Sequence, residues 1–370
     1  MINDYIINRN TSNMIIIIII SMTILMLIST LEIVLYPDIA YSYTFNITNK
    51  LKQQQQQNSY QTNISQPSII TTNNQEKSAD NLNNNLTKVV ILTFGDGYQS
   101  QFTLAKPVLD KYGYKGNFFT VCNFVIRGSE NVDKSRMNWQ DIKALQQQGH
   151  DIESHTMTHT DLNNKSIQTL NYEIGGSKQC LLNHGINSTV FAYPASTGSE
   201  NATIINIVSK YYDLARAGDA PLAFLHCNGY KKDDNCLPFN KNGQLKYENR
   251  YDIRNWSDRP KVQATNQLSS SFNNQQMLNQ FIEEVNLQSS YNKNGCINAI
   301  PIVVYHDFLI DKNHIYLPNK SFTDVGLFSE EMKYLHDNGF IVLKMSDMGY
   351  NDNSNYLYIK DTTSGMLRNC

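Results

Sequence analysis

Charge is scarce in this 370-residue chain: Asp, Glu, Lys and Arg together make up 17% of it, and the formal net charge is −2. Without a basic surplus there is no electrostatic footprint for nucleic acid, and without an acidic block there is no charged tail. Cysteine is sparse as well. The six cysteines, at positions 122, 180, 227, 236, 296 and 370, are too few to be the scaffold of a domain this size, although they suit an oxidising compartment. No Cys-x-x-Cys occurs, which argues against a thiolate zinc site. No internal repeat is apparent. Polar character comes instead from Asn, Gln, Ser and Thr, and a hydrophobic share of 41% is ample for one large domain or two ordinary ones.

Apolar residues concentrate first near the N-terminus. Beyond a short tail, 1–13, the segment 14–36 reads MIIIIIISMTILMLISTLEIVLY, with no charge from Met14 to Leu31. That run approaches the ~20 residues needed to cross a bilayer and exceeds the ~7–15 of a secretory h-region. Asp38 stands where a cleavage site wants a small residue, so the segment reads as an uncleaved transmembrane signal anchor, with secretion after cleavage as the alternative. In either case the bulk of the chain faces outside the cytoplasm. From 37 to 87 the composition turns to Gln, Asn and Ser, too poor in apolar surface to offset the entropy of ordering, and predicts a disordered linker.

From Lys88 onward, short apolar runs alternate with amphipathic ones. The runs predict strands at Val89–Phe94, Gly116–Val121, Asp151–Ser154, Thr189–Tyr193, Asp213–Arg216, Pro301–Tyr305 and Ile341–Lys344. Between them, helices are predicted at Gln101–Tyr112, Asn138–Gln148, Ser166–Asn183, Asn201–Tyr211, Gln275–Leu287 and Ser329–Asn338. This alternation predicts an α/β domain with a parallel sheet, and about seven strand–helix units suggest a barrel or barrel-like sheet. A polar stretch at about 226–275 reads as an insertion and 351–370 as a C-terminal tail, leaving 88–350 as the domain. Within the insertion, Cys227 and Cys236 bracket a polar loop that a local disulfide can close.

The predicted strand ends carry the chemistry. Strand one ends in Gly95-Asp96-Gly97, strand three in Ser154-His155 with His159 four residues on, strand four in Tyr193-Pro194, strand five in Arg216 and strand six in His306-Asp307. Carboxyl ends of parallel strands are where sites assemble in such folds. Two histidines four apart, if on a helical turn, project to one side and can share a metal with a carboxylate from another strand.

These residues resemble the polysaccharide deacetylases of carbohydrate esterase family four, the NodB-homology domain. The family's Thr-Phe-Asp-Asp-Gly is matched by Thr93-Phe94-Gly95-Asp96-Gly97, and its [Ser/Thr/Asn]-His-[Ser/Thr]-x-x-His by Ser154 to His159, followed by Asp161-Leu162. Its third motif appears as Phe191-Ala192-Tyr193-Pro194, and its late hydrophobic-x-His as Val304-Tyr305-His306. The resemblance implies a distorted (β/α) barrel, one divalent metal, usually zinc, and hydrolysis of acetyl groups on an extracellular or cell-surface polysaccharide, commonly of N-acetylglucosamine. It implies metal ligands at Asp96, His155 and His159, a general acid at His306, and an oxyanion side at Tyr193 and Pro194.

One departure stands out. The resemblance makes Asp96 the metal-binding second acid of the first motif, so the general-base position is Gly95, which cannot accept a proton. The arginine that often opens the third motif and braces that base is Ala192, as is usual in the Phe-Ala-Tyr-Pro variant. Three outcomes are open: a substitute carboxylate (Glu153, Asp161 or Asp307), unaided metal hydroxide, or a domain that binds glycan without hydrolysing it. A less favoured alternative is hydrolysis of a small non-glycan amide.

Overall fold

In Val89–Phe94 every residue is buried, and alternate side chains go to two different cores. Val90, Leu92 and Phe94 join one apolar cluster with helix residues such as Leu109, Leu145 and Phe328, while Val89 and Ile91 join another with Phe119, Val190 and Leu343. A strand covered on both faces must be continuously apolar, which is why VVILTF shows no polar alternation. This strand, β1, is the centre of a computed structural model that describes residues 87–225, 250–260, 271–318, 320–353, 356–360 and 368–369.

The further sheet strands are β2 (Asn117–Thr120), β3 (Asp151–Ser154), β4 (Val190–Ala192), β5 (Leu214–Arg216), β6 (Trp256–Ser257), β7 (Ile302–Tyr305) and β8 (Ile341–Leu343). They run in the order β5-β4-β3-β2-β1-β7-β6, with β8 alongside the start of β1. Every pairing among them is parallel. The two ends of that order are joined by the segment 250–258. Its first half hydrogen-bonds β5 (Ile253 N to Ala215 O, 3.0 Å, and Ala217 N to Ile253 O, 2.9 Å), and its second half pairs with β7 (Asp258 N to Val304 O, 2.9 Å). The predicted barrel is therefore present as a strongly curved parallel sheet whose edge strands share one bridging segment.

All seven predicted strands are present. Two expectations need correction. The stretch read as an insertion contains β6 and the bridging segment; its strand is only two residues long and follows Tyr251, Asp252 and Ile253, too short to show a period. The stretch read as a C-terminal tail contains a strand, Tyr356–Ile359, paired antiparallel with Met348–Asn351, and its Leu357 and Ile359 are buried in the second core cluster.

The helices fall near their predicted places: α1 (Lys106–Tyr112), α3 (Trp139–Gln147), α4 (Ile167–Asn171), α5 (Ser177–Asn183), α6 (Ala202–Val208), α7 (Asn274–Asn286) and α8 (Val325–Asp337). The sequence reading missed α2, Cys122–Ser129. Asn138 caps α3 as predicted, accepting from Gln140 N and Asp141 N while the Asp141 carboxylate accepts from Asn138 N, a reciprocal capping box. Among the described residues no helix is long and apolar enough to cross a membrane; the apolar run at 14–36 and the polar segment at 37–86 lie outside them.

Candidate metal centre and the cavity around it

The sheet ends abruptly at β1 because Asp96 and Gly97 both take left-handed backbone conformations, φ 71° and 70°. Glycine adopts that region freely and aspartate better than most residues. The turn is fastened from outside by Arg136, whose guanidinium lies over the rings of Tyr98 (3.9 Å) and Phe124 (4.3 Å) and donates to Asp96 O at 3.1 Å. The Asp96 side chain, 13% exposed, then stands at the carboxyl end of the sheet.

His155 and His159 reach it from the end of β3, but not on a helical turn as the spacing suggested. The segment between them is an irregular loop, with Thr156 at φ 70° and His159 at φ 62°. The reason is the buried carboxylate of Glu173, in the π-helical turn Tyr172–Gly176. It accepts from Met157 N (3.1 Å), Thr158 N (2.9 Å) and Thr158 Oγ1 (2.6 Å), satisfying locally the donors a helix would satisfy by capping. On the other flank, Cys122 N and Asn123 N donate to Thr156 O and Met157 O. A disulfide, Cys122–Cys180, ties α2 to α5 and so links the two supports of the loop. Cys296 is also disulfide-bonded, and the expected pair Cys227 and Cys236 lies outside the described residues.

Asp96, His155 and His159 form a group able to hold one metal ion, their ligand atoms all within 4.8 Å of one another. His155 Nε2 and His159 Nε2 stand 3.4 and 3.2 Å from Asp96 Oδ1. A tetrahedral site with bonds of about 2.0–2.1 Å spaces its ligand atoms about 3.3–3.4 Å apart. His155 Nδ1 lies 2.8 Å from Ala192 O, which can only accept; Nδ1 therefore carries the proton and Nε2 keeps its lone pair for the site. Asp96 Oδ1 is buried with no hydrogen-bond partner. Burial alone would raise the Asp96 pKa, yet the two imidazoles hold it far below the usual carboxylate range; burial lowers that of His155. An ionised carboxylate and a neutral imidazole are the forms a divalent ion takes, and the residues fit one.

The opposite wall is built differently. Gly95 leaves its side-chain space to His306: a Cβ placed on Gly95 would lie 3.1 Å from His306 Cδ2 and 3.2 Å from Nε2. Gln101, fully buried, holds the two together, its Nε2 donating to both Gly95 O and His306 O. Burial is the main cause that lowers the His306 pKa to about 4, opposed by Asp96. Asp96 and three histidines, His155, His159 and His306, line a cavity of about 410 Å³ with Tyr193, Ser196, Arg216 and Arg259. Pro194 opens a tight turn, Pro194–Ser196, in which Ala195 and Ser196 also have positive φ.

None of the three acids considered as substitute bases lines this cavity. Glu153 is buried with Oε2 accepting from Ser188 Oγ (2.7 Å), Thr189 N (2.9 Å) and Val190 N (2.8 Å), so it fastens the start of β4. Asp161 accepts from Asn163 N in an exposed turn, and Asp307 from Ser100 Oγ and Phe308 N. The donors that occupy these three acids are backbone N–H and hydroxyl groups.

With this geometry in place, the similarity to known proteins is specific. Residues 83–212, which contain the three clustered ligands and the Tyr193-Pro194 turn, match the polysaccharide deacetylase family. The curated protein YxkH of Bacillus subtilis (strain 168), provisionally named a polysaccharide deacetylase, is 33% identical over 114 residues, 30% of this chain and 39% of its own length. A gellan lyase of Bacillus sp is 28% identical over 127 residues, 34% of this chain and 4% of that protein. The chain thus spans well under half the length of either relative. Among solved structures, the Streptococcus pyogenes deacetylase PplD in complex with acetate is 26% identical, with 36% of this chain and 58% of that one covered at a TM-score of 0.34.

Two residues that shape this site escaped the sequence reading. Glu173 falls on the buried stripe Leu170, Ile174, Ser177 and Leu181, and Gln101 on the stripe of Ala105 and Leu109. A polar side chain in register with a helix's apolar face was the available signal.

Proposed function

We propose that the chain is a metal-dependent hydrolase that removes acetyl groups from the amide nitrogens of a polysaccharide, with one divalent ion, zinc, held by Asp96, His155 and His159.

 The observation that carries this reading is the convergence of those three side chains, with free ligand atoms, on one end of a cavity whose other wall presents His306. The match of residues 83–212 to the polysaccharide deacetylase family and the provisional name of YxkH support the same chemistry. When bound, a divalent ion polarises the acyl carbonyl and lowers the pKa of water beside it.

The chain's own residues supply the rest. His306 Nε2 faces the space a base would fill from Gly95, and at neutral pH its imidazole is uncharged. It therefore accepts a proton from the attacking water and returns it to the departing amine nitrogen, one histidine serving both halves of the transfer. We assign the backbone N–H beside Pro194 to the charge that develops on the acyl oxygen. The central cavity shares Asp219, Ser257 and Arg259 with a neighbouring one of about 380 Å³, and Ala195, Ser196 and Gly218 with another of about 540 Å³. That run of connected hollows suits a chain of sugars better than a small amide. The apolar run at 14–36 supports action outside the cytoplasm, from a membrane anchor or after cleavage.

A second reading is favoured by Gly95 and by the three acids that turn away from the cavity: a domain that binds glycan without hydrolysing it. Acetate release from N-acetylglucosamine oligomers by the full chain separates the two. The hydrolase reading expects release that stops on chelation and in His306→Ala. Absence of release from metal-loaded wild type, with oligomer binding retained, favours the binding reading.

A further inference from the structure

Three arginines line the connected cavities, and two of them are paired. Arg254 Nη2 lies 3.2 Å from Asp252 Oδ2, and Arg259 Nη2 lies 3.0 Å from Asp219 Oδ2. Arg216, at the end of β5, is different. It is 6% exposed, its guanidinium carbon rests 4.3 Å from the centre of the Phe119 ring, and no carboxylate pairs with it among the described residues. Its Nε has no hydrogen-bond partner. A buried guanidinium held only by an aromatic face costs stability unless something else takes its donors, and the ring leaves the in-plane fork free. The group stays charged, since burial lowers its pKa only to about 10.

The cavity is open to those donors. Arg216 lines it together with Asp96, the two clustered histidines and His306. Asp96 is close enough to act on Arg216 electrostatically, but it makes no ion pair with it and faces His155 and His159 instead. The planar fork of a guanidinium matches two oxygens on one carbon. We propose that Arg216 anchors a carboxylate in the floor of the cavity. That carboxylate comes from one of two sources, the acetate released by hydrolysis or an acidic sugar next to the residue being processed.

The test uses the full chain after chelation, so that a bound metal does not hold the anion, and follows binding at neutral pH by calorimetry. The probes are acetate, and glucuronate against glucose, each at constant ionic strength set with chloride. Wild type is expected to bind at least one carboxylate, and Arg216→Met to bind it about 10- to 100-fold more weakly, the range for a charge-assisted pair of hydrogen bonds. Acetate alone binding through Arg216 points to the product, and glucuronate binding with glucose excluded points to an acidic sugar. If Arg216→Met does not fold, Arg216→Lys keeps the charge but loses the fork and is expected to weaken binding in the same order. Equal affinity in wild type and variant, or no binding of either carboxylate by wild type, would overturn the proposal. The readout needs neither metal nor turnover, so it stands or falls separately from acetyl hydrolysis.

Discussion

The two walls of the central cavity are built to different standards. On the Asp96 side, each ligand has its own support: Arg136 on the turn, Ala192 O on His155 Nδ1, and Glu173 with a disulfide-linked pair of helices on the loop to His159. On the His306 side, a side chain is missing at Gly95, three nearby acids are turned to other tasks, and one buried amide, Gln101, holds what remains. Placement of the three clustered side chains is therefore over-determined, while on the proposed reading proton handling depends on one imidazole. A chain can lose a carboxylate from this site and keep the geometry of the clustered side chains intact, because no side-chain hydrogen bond among the described residues joins the two walls.

That separation can be broken in order of size. The largest effect is expected from His306→Ala: acetate release should fall about 10²- to 10⁴-fold, the usual worth of a positioned acid or base, while zinc affinity is unchanged. Loss of zinc together with activity would show that the walls are coupled. Next, Glu173→Gln keeps an acceptor but surrenders one of its carboxylate oxygens, and should weaken zinc binding about 10- to 100-fold, as removal of a ligand's support does. Equilibrium dialysis measures it, and an unchanged affinity would mean that the loop holds its shape without that carboxylate. Gly95→Ala should have a smaller effect. Its methyl meets the His306 ring at 3.1–3.2 Å, so the ring must give way by a few tenths of an ångström; turnover should drop severalfold with zinc affinity unchanged. An increase in turnover would mean that His306 works better displaced.

The smallest effect concerns stability. Asp258 follows β6 and is buried; burial raises its pKa to about 7, only partly offset by the hydrogen bond from Thr323 Oγ1, and Glu331, raised further, lies near enough to add its charge to the same cluster. The folded state holds these protons more tightly than the unfolded one. The contribution of Asp258 to stability is thus fully present below the ordinary carboxylate pKa and is lost as pH rises through about 7. Thermal unfolding midpoints should fall across that window in wild type and fall less in Asp258→Asn. Equal slopes in the two proteins would remove Asp258 from the cause.

The same contrast governs what was legible in the sequence. The strands were readable because runs such as β1, β4 and β7 are buried along their length and almost wholly apolar, and the three clustered residues were readable because motif residues fall where strands stop. Asp96, His155 and His159 do come together, but the histidines reach the cluster from an irregular loop and not from the helical turn their spacing suggested. The loop between the histidines was not readable, since its shape depends on Glu173, fourteen residues beyond His159 and on a helix that packs there only in the folded state. The bridging segment at 250–258 was equally hidden: its strand is two residues long, and its pairing with β5 and β7 comes from curvature of the whole sheet. Arg216 was visible as a strand-end residue, but its want of a partner is a property of three dimensions.

Metal content tests the central claim most directly. The full chain, chelated and then titrated with zinc at neutral pH, should bind one ion per chain, and that ion should be lost in Asp96→Ala and in His159→Ala while circular dichroism reports an intact fold. Failure of the wild type to retain an ion, or undiminished binding in both variants, would contradict the assignment of this corner of the cavity.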